Sequence, residues 1–116
     1  MNLNNQYDAI IIGAGVIGSA IARYLMRYKL RLLILEKHND VGDEASGANS
    51  GIVHSGYDPL PDTNKAKFNV LGAKMMEQVC KELDVPYKKI GSLTISFSEE
   101  ENQTLLKLKE RGEKNG

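Results

Sequence analysis

The sequence has a single cysteine, no net charge and no long apolar run, and each shortage removes a class of protein. One cysteine, Cys80, excludes an internal disulfide framework and supplies too few thiolates for a cysteine zinc site, so no metal site is expected. Cys80 falls on the apolar side of a helical pattern and reads as a small buried hydrophobe. Fifteen basic residues balance fifteen acidic ones, so no global field draws nucleic acid or an anionic membrane, and no nucleic-acid partner is expected. No segment approaches the roughly 18 unbroken apolar residues of a spanning helix. The stretch from Met1 to Gln6 carries no basic cluster ahead of the first apolar run, which glycines then interrupt, so it does not read as a signal peptide. The expected location is the cytoplasm, with peripheral membrane contact left open.

What is present is ordinary globular composition, 41% apolar and 26% charged, which separates the chain from disordered sequences. Residues 7–12 form a short run rich in β-branched side chains and end in glycine, the pattern of a strand buried on both faces. A glycine-rich turn follows at 13–18, and Ile17, Ala20, Ile21, Tyr24 and Leu25 then recur at helical spacing up to about Lys29. Residues 30–36 are a second apolar run ending in an acid, which completes a βαβ unit. From 38 to 63 the composition turns to Gly, Ser, Asn, Asp and Pro. A loop this long usually serves a site, with or without a short helix inside it.

Helical period returns at 64–83, with Ala66, Val70, Ala73, Met76, Cys80 and Leu83 on one side; Met75 and Met76 read as core filler. Residues 93–97 alternate apolar and polar, the pattern of a half-exposed antiparallel strand. Ser98 followed by Glu101 forms a capping-box signature for a helix at about 99–111, with acids in its first turn and Lys107, Lys109 and Arg111 toward its last. No third parallel strand follows, so the chain reads as a fragment with an unfinished sheet.

Gly13-Ala14-Gly15-Val16-Ile17-Gly18 matches G-x-G-x-x-G, a weak signal alone that its context strengthens. It follows a predicted strand, opens a predicted helix and is answered by Glu36, 18 positions after Gly18. Gly13 permits the tight turn, Gly15 lets backbone approach a pyrophosphate, and Gly18 allows close packing of helix on strand. The helix N-terminus then offers unpaired N–H groups and a positive dipole end to phosphates. Glu36 is placed to accept both hydroxyls of an adenosine ribose and to repel a 2′-phosphate, which disfavours NADP. The competing reading is a plain turn and a strand-end surface acid. The fingerprint itself does not separate FAD from NAD.

Further along, Ala45-Ser46-Gly47-Ala48-Asn49-Ser50-Gly51-Ile52-Val53-His54-Ser55-Gly56-Tyr57-Asp58 resembles the FAD-dependent glycerol-3-phosphate dehydrogenase family and its L-2-hydroxyglutarate oxidase relatives, within the D-amino-acid oxidase superfamily. Leu35-Glu36-Lys37 resembles that family's end of strand two, and Ile90-Gly91-Ser92-Leu93-Thr94-Ile95 the first strand of its substrate domain. The resemblance covers essentially the whole chain. It implies an α/β fold: a Rossmann-like βαβ FAD-binding domain, incomplete, over 1–85, and the start of an antiparallel substrate-domain sheet over 86–116. It implies FAD as cofactor, with Gly13, Ala14, Gly15, Val16, Ile17, Gly18, Glu36 and Lys37 at its dinucleotide end and Ser46, Asn49 and Ser50 beside pyrophosphate or ring. Short hydroxyls and amides among glycines suit anionic oxygens, while the alternative is a loop that bonds only to itself. Asp43 and Glu44 depart from the small or neutral residues common there, and two acids near a pyrophosphate cost binding unless they point to solvent.

His54 is placed near the flavin by the same resemblance, as a tuning group, a proton relay or a covalent attachment point, against the plainer reading of a histidine bonded to loop backbone. His38 is expected at the surface near the adenine end. The implied reaction is hydride transfer from a carbinol carbon to flavin N5, with electrons passed on to a quinone, oxygen or a protein acceptor. The implied substrate is a polyol phosphate or 2-hydroxy acid, most of all glycerol 3-phosphate, with an L-2-hydroxyglutarate or amino-acid oxidase-like enzyme as the alternative. No catalytic base or anion clamp is recognisable, so no catalytic residue is assigned, and the 116-residue chain by itself is expected to show no turnover. Two rivals remain: a nicotinamide-dependent half-domain and a non-catalytic piece. The oligomeric state is not legible.

Overall fold

The computed structural model describes residues 6–116, and its backbone contacts divide it into two compact units between Gly51 and Ile52. The first unit holds β1 (Ala9–Ile12), α1 (Val16–Leu25) and β2 (Leu32–Leu35). β1 and β2 pair in parallel, Ala9 opposite Leu32 through Ile12 opposite Leu35. A parallel pair needs a crossover, and α1 supplies it. Where the strands begin, Asp8 closes the pair: its Oδ2 accepts from the Arg31 backbone N–H at 2.8 Å, and the Arg31 guanidinium reaches both carboxylate oxygens. Those bonds, the backbone N–H first, lower the Asp8 pKa below its usual carboxylate range.

Gly18 governs how closely α1 lies on the strand. A Cβ built there would stand 2.0 Å from the Gly13 carbonyl oxygen and 3.2 Å from Ile11 Cγ2. Ile11 is buried on that face. The opposite face differs from expectation, because Ile10 and Ile12 point away from α1 and Ile12 is 87% exposed. The strand is thus covered on one face, since among the described residues of this unit no second helix packs on the other, and β1 has one free edge. α1 also stops at Leu25 instead of near Lys29, because Met26 to Leu30 form the turns that return the chain to β2.

The second unit holds α2 (Asn64–Glu82) and α3 (Glu99–Asn115). Thr63 caps α2 by accepting from the Ala66 N–H at 3.2 Å while its hydroxyl donates to the Leu60 carbonyl at 2.7 Å. Ala66, Val70 and Cys80 are buried along one side, as the periodicity predicts for Cys80. The helix ends where Asp84 turns left-handed, φ 54°, and the Val85 N–H reaches back to the Cys80 carbonyl at 2.9 Å. α3 begins with the Ser98 half of the predicted capping box, Ser98 Oγ accepting from the Glu101 N–H at 3.2 Å, while Glu101 Oε2 reaches one residue further back and accepts from the Phe97 N–H at 2.7 Å. Ser98→Ala is expected to cost about 1 kcal/mol, read as a lower denaturant midpoint at unchanged slope and as faster amide exchange at Glu101.

α3 runs four residues past the expected end at Arg111, and tertiary contacts within the unit explain the extension. Asn115 Nδ2 donates to the Gly56 and Pro59 carbonyls at 2.8 and 2.9 Å, and Arg111 donates to the Asp58 carbonyl at 3.3 Å. The antiparallel strand expected at 93–97 is not formed. Its ladder groups find no partner strand among the described residues, and Leu93 stays 94% exposed. No described helix is long and apolar enough to cross a membrane.

Candidate dinucleotide-binding site

The turn between β1 and α1 is built from backbone geometry. Gly13 takes φ +98°, the left-handed region a side chain disfavours, while its N–H donates to the Leu35 carbonyl at 2.7 Å. Gly15 is the N-cap of α1 and has no side chain with which to satisfy the first-turn N–H groups. Ser46 does it from thirty residues away: the Val16 N–H donates to Ser46 Oγ at 2.8 Å. A Cβ on Gly15 would lie 3.1 Å from that hydroxyl.

Glu36 leaves the end of β2 and turns its carboxylate under the glycine turn. Oε2 accepts from the Ala14 N–H at 2.7 Å, and Oε1 accepts from the Lys37 and His38 N–H groups at 2.7 and 3.0 Å. These bonds, Ala14's first, hold the Glu36 pKa below its ordinary value. A carboxylate offers about four lone-pair positions, and three are spent on backbone. About one is left for a ribose hydroxyl, so the expectation that Glu36 takes both is reduced to a single bond. The negative charge that opposes a 2′-phosphate remains.

The loop after β2 folds back on the same turn. The Gly42 N–H donates to the Ala14 carbonyl at 3.1 Å. Asp43 and Glu44, expected to burden an anion site, are engaged by Lys37 and His38: Lys37 Nζ pairs with Glu44, His38 Nε2 lies 3.1 Å from Glu44 Oε1, and His38 Nδ1 lies 3.6 Å from Asp43 Oδ2. The Lys37 bond, then His38's, lowers the Glu44 pKa, and Glu44 raises that of Lys37. Sequence reasoning treated these charges separately. Their signal was the Lys37-His38 dipeptide facing Asp43-Glu44 across a short loop.

Gly13, Gly15, Glu36, Lys37 and Ser46 together line a groove of about 360 Å3, joined by His38, Gly42, Asp43 and Glu44. That volume falls within the range of roughly 300–1,000 Å3 usual for small-molecule pockets. Of the other expected residues, Ala14 and Val16 enter through their N–H groups and Gly18 through packing, while the Ile17 side chain is exposed. Asn49 donates to the Ser46 carbonyl at 2.7 Å and accepts from the Gly51 N–H at 2.7 Å, and it lines with Gly13, Gly15, Val16, Ile17, Gly18 and Ser46 a wider open cleft of about 1030 Å3. Ser50 is exposed and does not line the groove. His54 belongs to the second unit, where it lines a separate cavity of about 220 Å3 with Tyr57, Lys65 and Asn69.

A family model described as FAD dependent oxidoreductase matches residues 8–116. The chain belongs to this FAD-dependent oxidoreductase family. Within it, the chain is 50% identical over 111 residues to a glycerol 3-phosphate dehydrogenase of Caloramator mitchellensis, covering 96% of this chain and 23% of that protein. It is 41% identical to a mitochondrial L-2-hydroxyglutarate dehydrogenase of Nematostella vectensis, covering 97% and 25%. Among solved structures it is similar to the dithionite-reduced L-alpha-glycerophosphate oxidase of Mycoplasma pneumoniae with FAD bound, at a TM-score of 0.86 and 40% identity, covering 96% of this chain and 29% of that one. The chain thus spans roughly a quarter of the length of these relatives.

The groove of this family member suits the dinucleotide end of FAD on its own chemistry. Ser46 Oγ accepts from the Val16 N–H at the helix N-terminus, which leaves its own O–H to donate to a phosphate oxygen in the positive field of the helix end. No Cβ crowds that point from Gly15, and Glu36 keeps an acceptor position beside it.

Proposed function

We propose that this chain is the FAD-binding N-terminal portion of an oxidoreductase that oxidises glycerol 3-phosphate. Residues 1–85 belong to the FAD-binding domain and 86–116 begin the substrate domain. The observation that carries the reading is one groove lined by Gly15 at the α1 N-terminus, by Ser46, whose hydroxyl is seated on that N-terminus, and by the Glu36 carboxylate. The similarity to a glycerol 3-phosphate dehydrogenase at 50% identity supports the substrate, and FAD, when bound, accepts the hydride removed from the carbinol carbon. This chain's own part is to hold and orient the dinucleotide: α1 faces the pyrophosphate, Ser46 contributes a hydroxyl, and Glu36 holds the turn and one ribose hydroxyl. A quinone, oxygen or a protein acceptor would take the electrons onward.

The L-2-hydroxyglutarate dehydrogenase relative at 41% identity supports a second reading, in which the substrate is a 2-hydroxy dicarboxylate. The test is the visible spectrum of the enzyme containing this chain after loading with FAD and desalting, beside Glu36→Arg. A retained flavin band that the variant lacks supports the site; equal retention overturns it. Anaerobic bleaching of that band by glycerol 3-phosphate or by L-2-hydroxyglutarate then decides between the two substrates.

A further inference from the structure

The rim of the groove carries an ion cluster that the dinucleotide fingerprint does not require. Glu44 sits between Lys37 and His38 from the end of β2, an ion pair on one side and a hydrogen-bonded imidazole on the other, and His38 also faces Asp43. Glu36 is the remaining charge felt there, by both Lys37 and His38. From Glu44 the chain reaches Ser46 in two residues. The Gly47 and Ala48 N–H groups close a turn on the Glu44 carbonyl at 3.0 and 3.1 Å, and the Gly42 N–H pins the other end of the segment to Ala14. Ser46 Oγ arrives at the Val16 N–H, the donor Gly15 has no side chain to satisfy.

We infer that Glu44, tied to Lys37 and His38, is a positioning residue that fixes the 42–48 turn and so seats the Ser46 hydroxyl on the α1 N-terminus, where it helps hold the pyrophosphate of FAD. Only the last step rests on the FAD reading; the seating of Ser46 on Val16 needs no cofactor. The inference opposes the simple electrostatic expectation. An acid that merely repelled phosphate would improve binding when removed, whereas a positioning acid weakens it.

The experiment uses the full chain as wild type, Glu44→Ala, Ser46→Ala and the double variant, with two readouts: amide hydrogen exchange at Val16 without cofactor, and FAD affinity by flavin fluorescence titration at low and high salt. Glu44→Ala is expected to speed Val16 exchange by about twofold to fivefold and to weaken FAD by a similar factor, the modest size set by exposed ion pairs. The loss shrinks at high salt as screening removes the pairing from the wild type too. In the Ser46→Ala background Glu44→Ala adds little, because the two act through one contact, and this non-additivity separates positioning from a general loss of structure. Unchanged Val16 exchange, tighter FAD binding in Glu44→Ala, or a Glu44 effect that persists in full without the Ser46 hydroxyl each overturns the inference. Val16 exchange that responds to Glu44 in a chain that takes up no FAD supports the seating of Ser46 and counts against the cofactor reading instead.

Discussion

Gly18→Ala is expected to destabilise the first unit sharply, while the chemically identical change Gly72→Ala stabilises α2. At Gly18 the new methyl carbon meets the Gly13 carbonyl oxygen at 2.0 Å, and backbone on both sides of the contact leaves no flexible side chain to move away. Relief requires lifting α1 off β1, which uncovers Ile11, and the cost is on the order of 3 kcal/mol or more. Small domains have only about 5–15 kcal/mol of stability to lose, and this two-stranded unit is covered on one face. At Gly72 an added Cβ meets nothing within 4 Å and the backbone is already helical. There the substitution gains about 0.4–1 kcal/mol by restricting the unfolded chain. Denaturant titrations followed by far-ultraviolet circular dichroism, with amide exchange at Ile11 and Val70 to assign each loss to its unit, read both effects. Equal stability in the two variants would refute the packing argument.

Glu36→Gln is expected to weaken FAD binding strongly although it changes few atoms. The wild-type carboxylate accepts three backbone N–H bonds through two oxygens. An amide has one oxygen, so its NH2 must confront either the Ala14 N–H or those of Lys37 and His38, donor against donor. The turn then loses either its tie to β2 or its local bracing, and a weakening of FAD binding by more than about tenfold is expected from the unpaired donors and the lost charge. The same bonds have a pH signature. They lower the folded-state pKa of Glu36 below its ordinary 4.5, so the contribution is complete above that value and is lost as pH falls through the lowered one. FAD affinity in the wild type should therefore hold to mild acidity and decline below about pH 4.5. Glu36→Gln should lack this limb of the profile.

Much of the site was legible from spacing because its parts are local. G-x-G-x-x-G after a β-branched run and an acid 18 residues beyond Gly18 describe a strand, turn, helix and strand whose geometry follows from glycine's missing Cβ and from unpaired helix-end amides. The capping box at Ser98 and Glu101 was legible for the same reason, with every partner within four residues. The Asp43-Glu44 pair was not, because its cost or benefit depends on which side chains lie near, and those come from the end of β2. The Asp8–Arg31 pair, 23 residues apart, gave no local signal at all. The strand expected at 93–97 shows the opposite limit: alternation marks a segment fit for a ladder, but a strand exists only with a neighbour.

Sequence by itself determined the strand, helix and strand of the first unit and the two helices of the second, the glycine turn, the acid at the end of β2, the helix caps and the resemblance to a flavoenzyme family, since these depend on periodicity, backbone freedom and short-range bonding. Tertiary structure alone decided that Ser46 caps α1, that Glu36 spends three of its acceptor positions on backbone, that α3 extends to Asn115 and that β1 is covered on one face. Each of those outcomes turns on at least one partner 22 to 59 residues away in the chain, or on the lack of one. Hydrogen bonds and packing are satisfied by whatever folding brings within reach, and local pattern carries no record of what that will be.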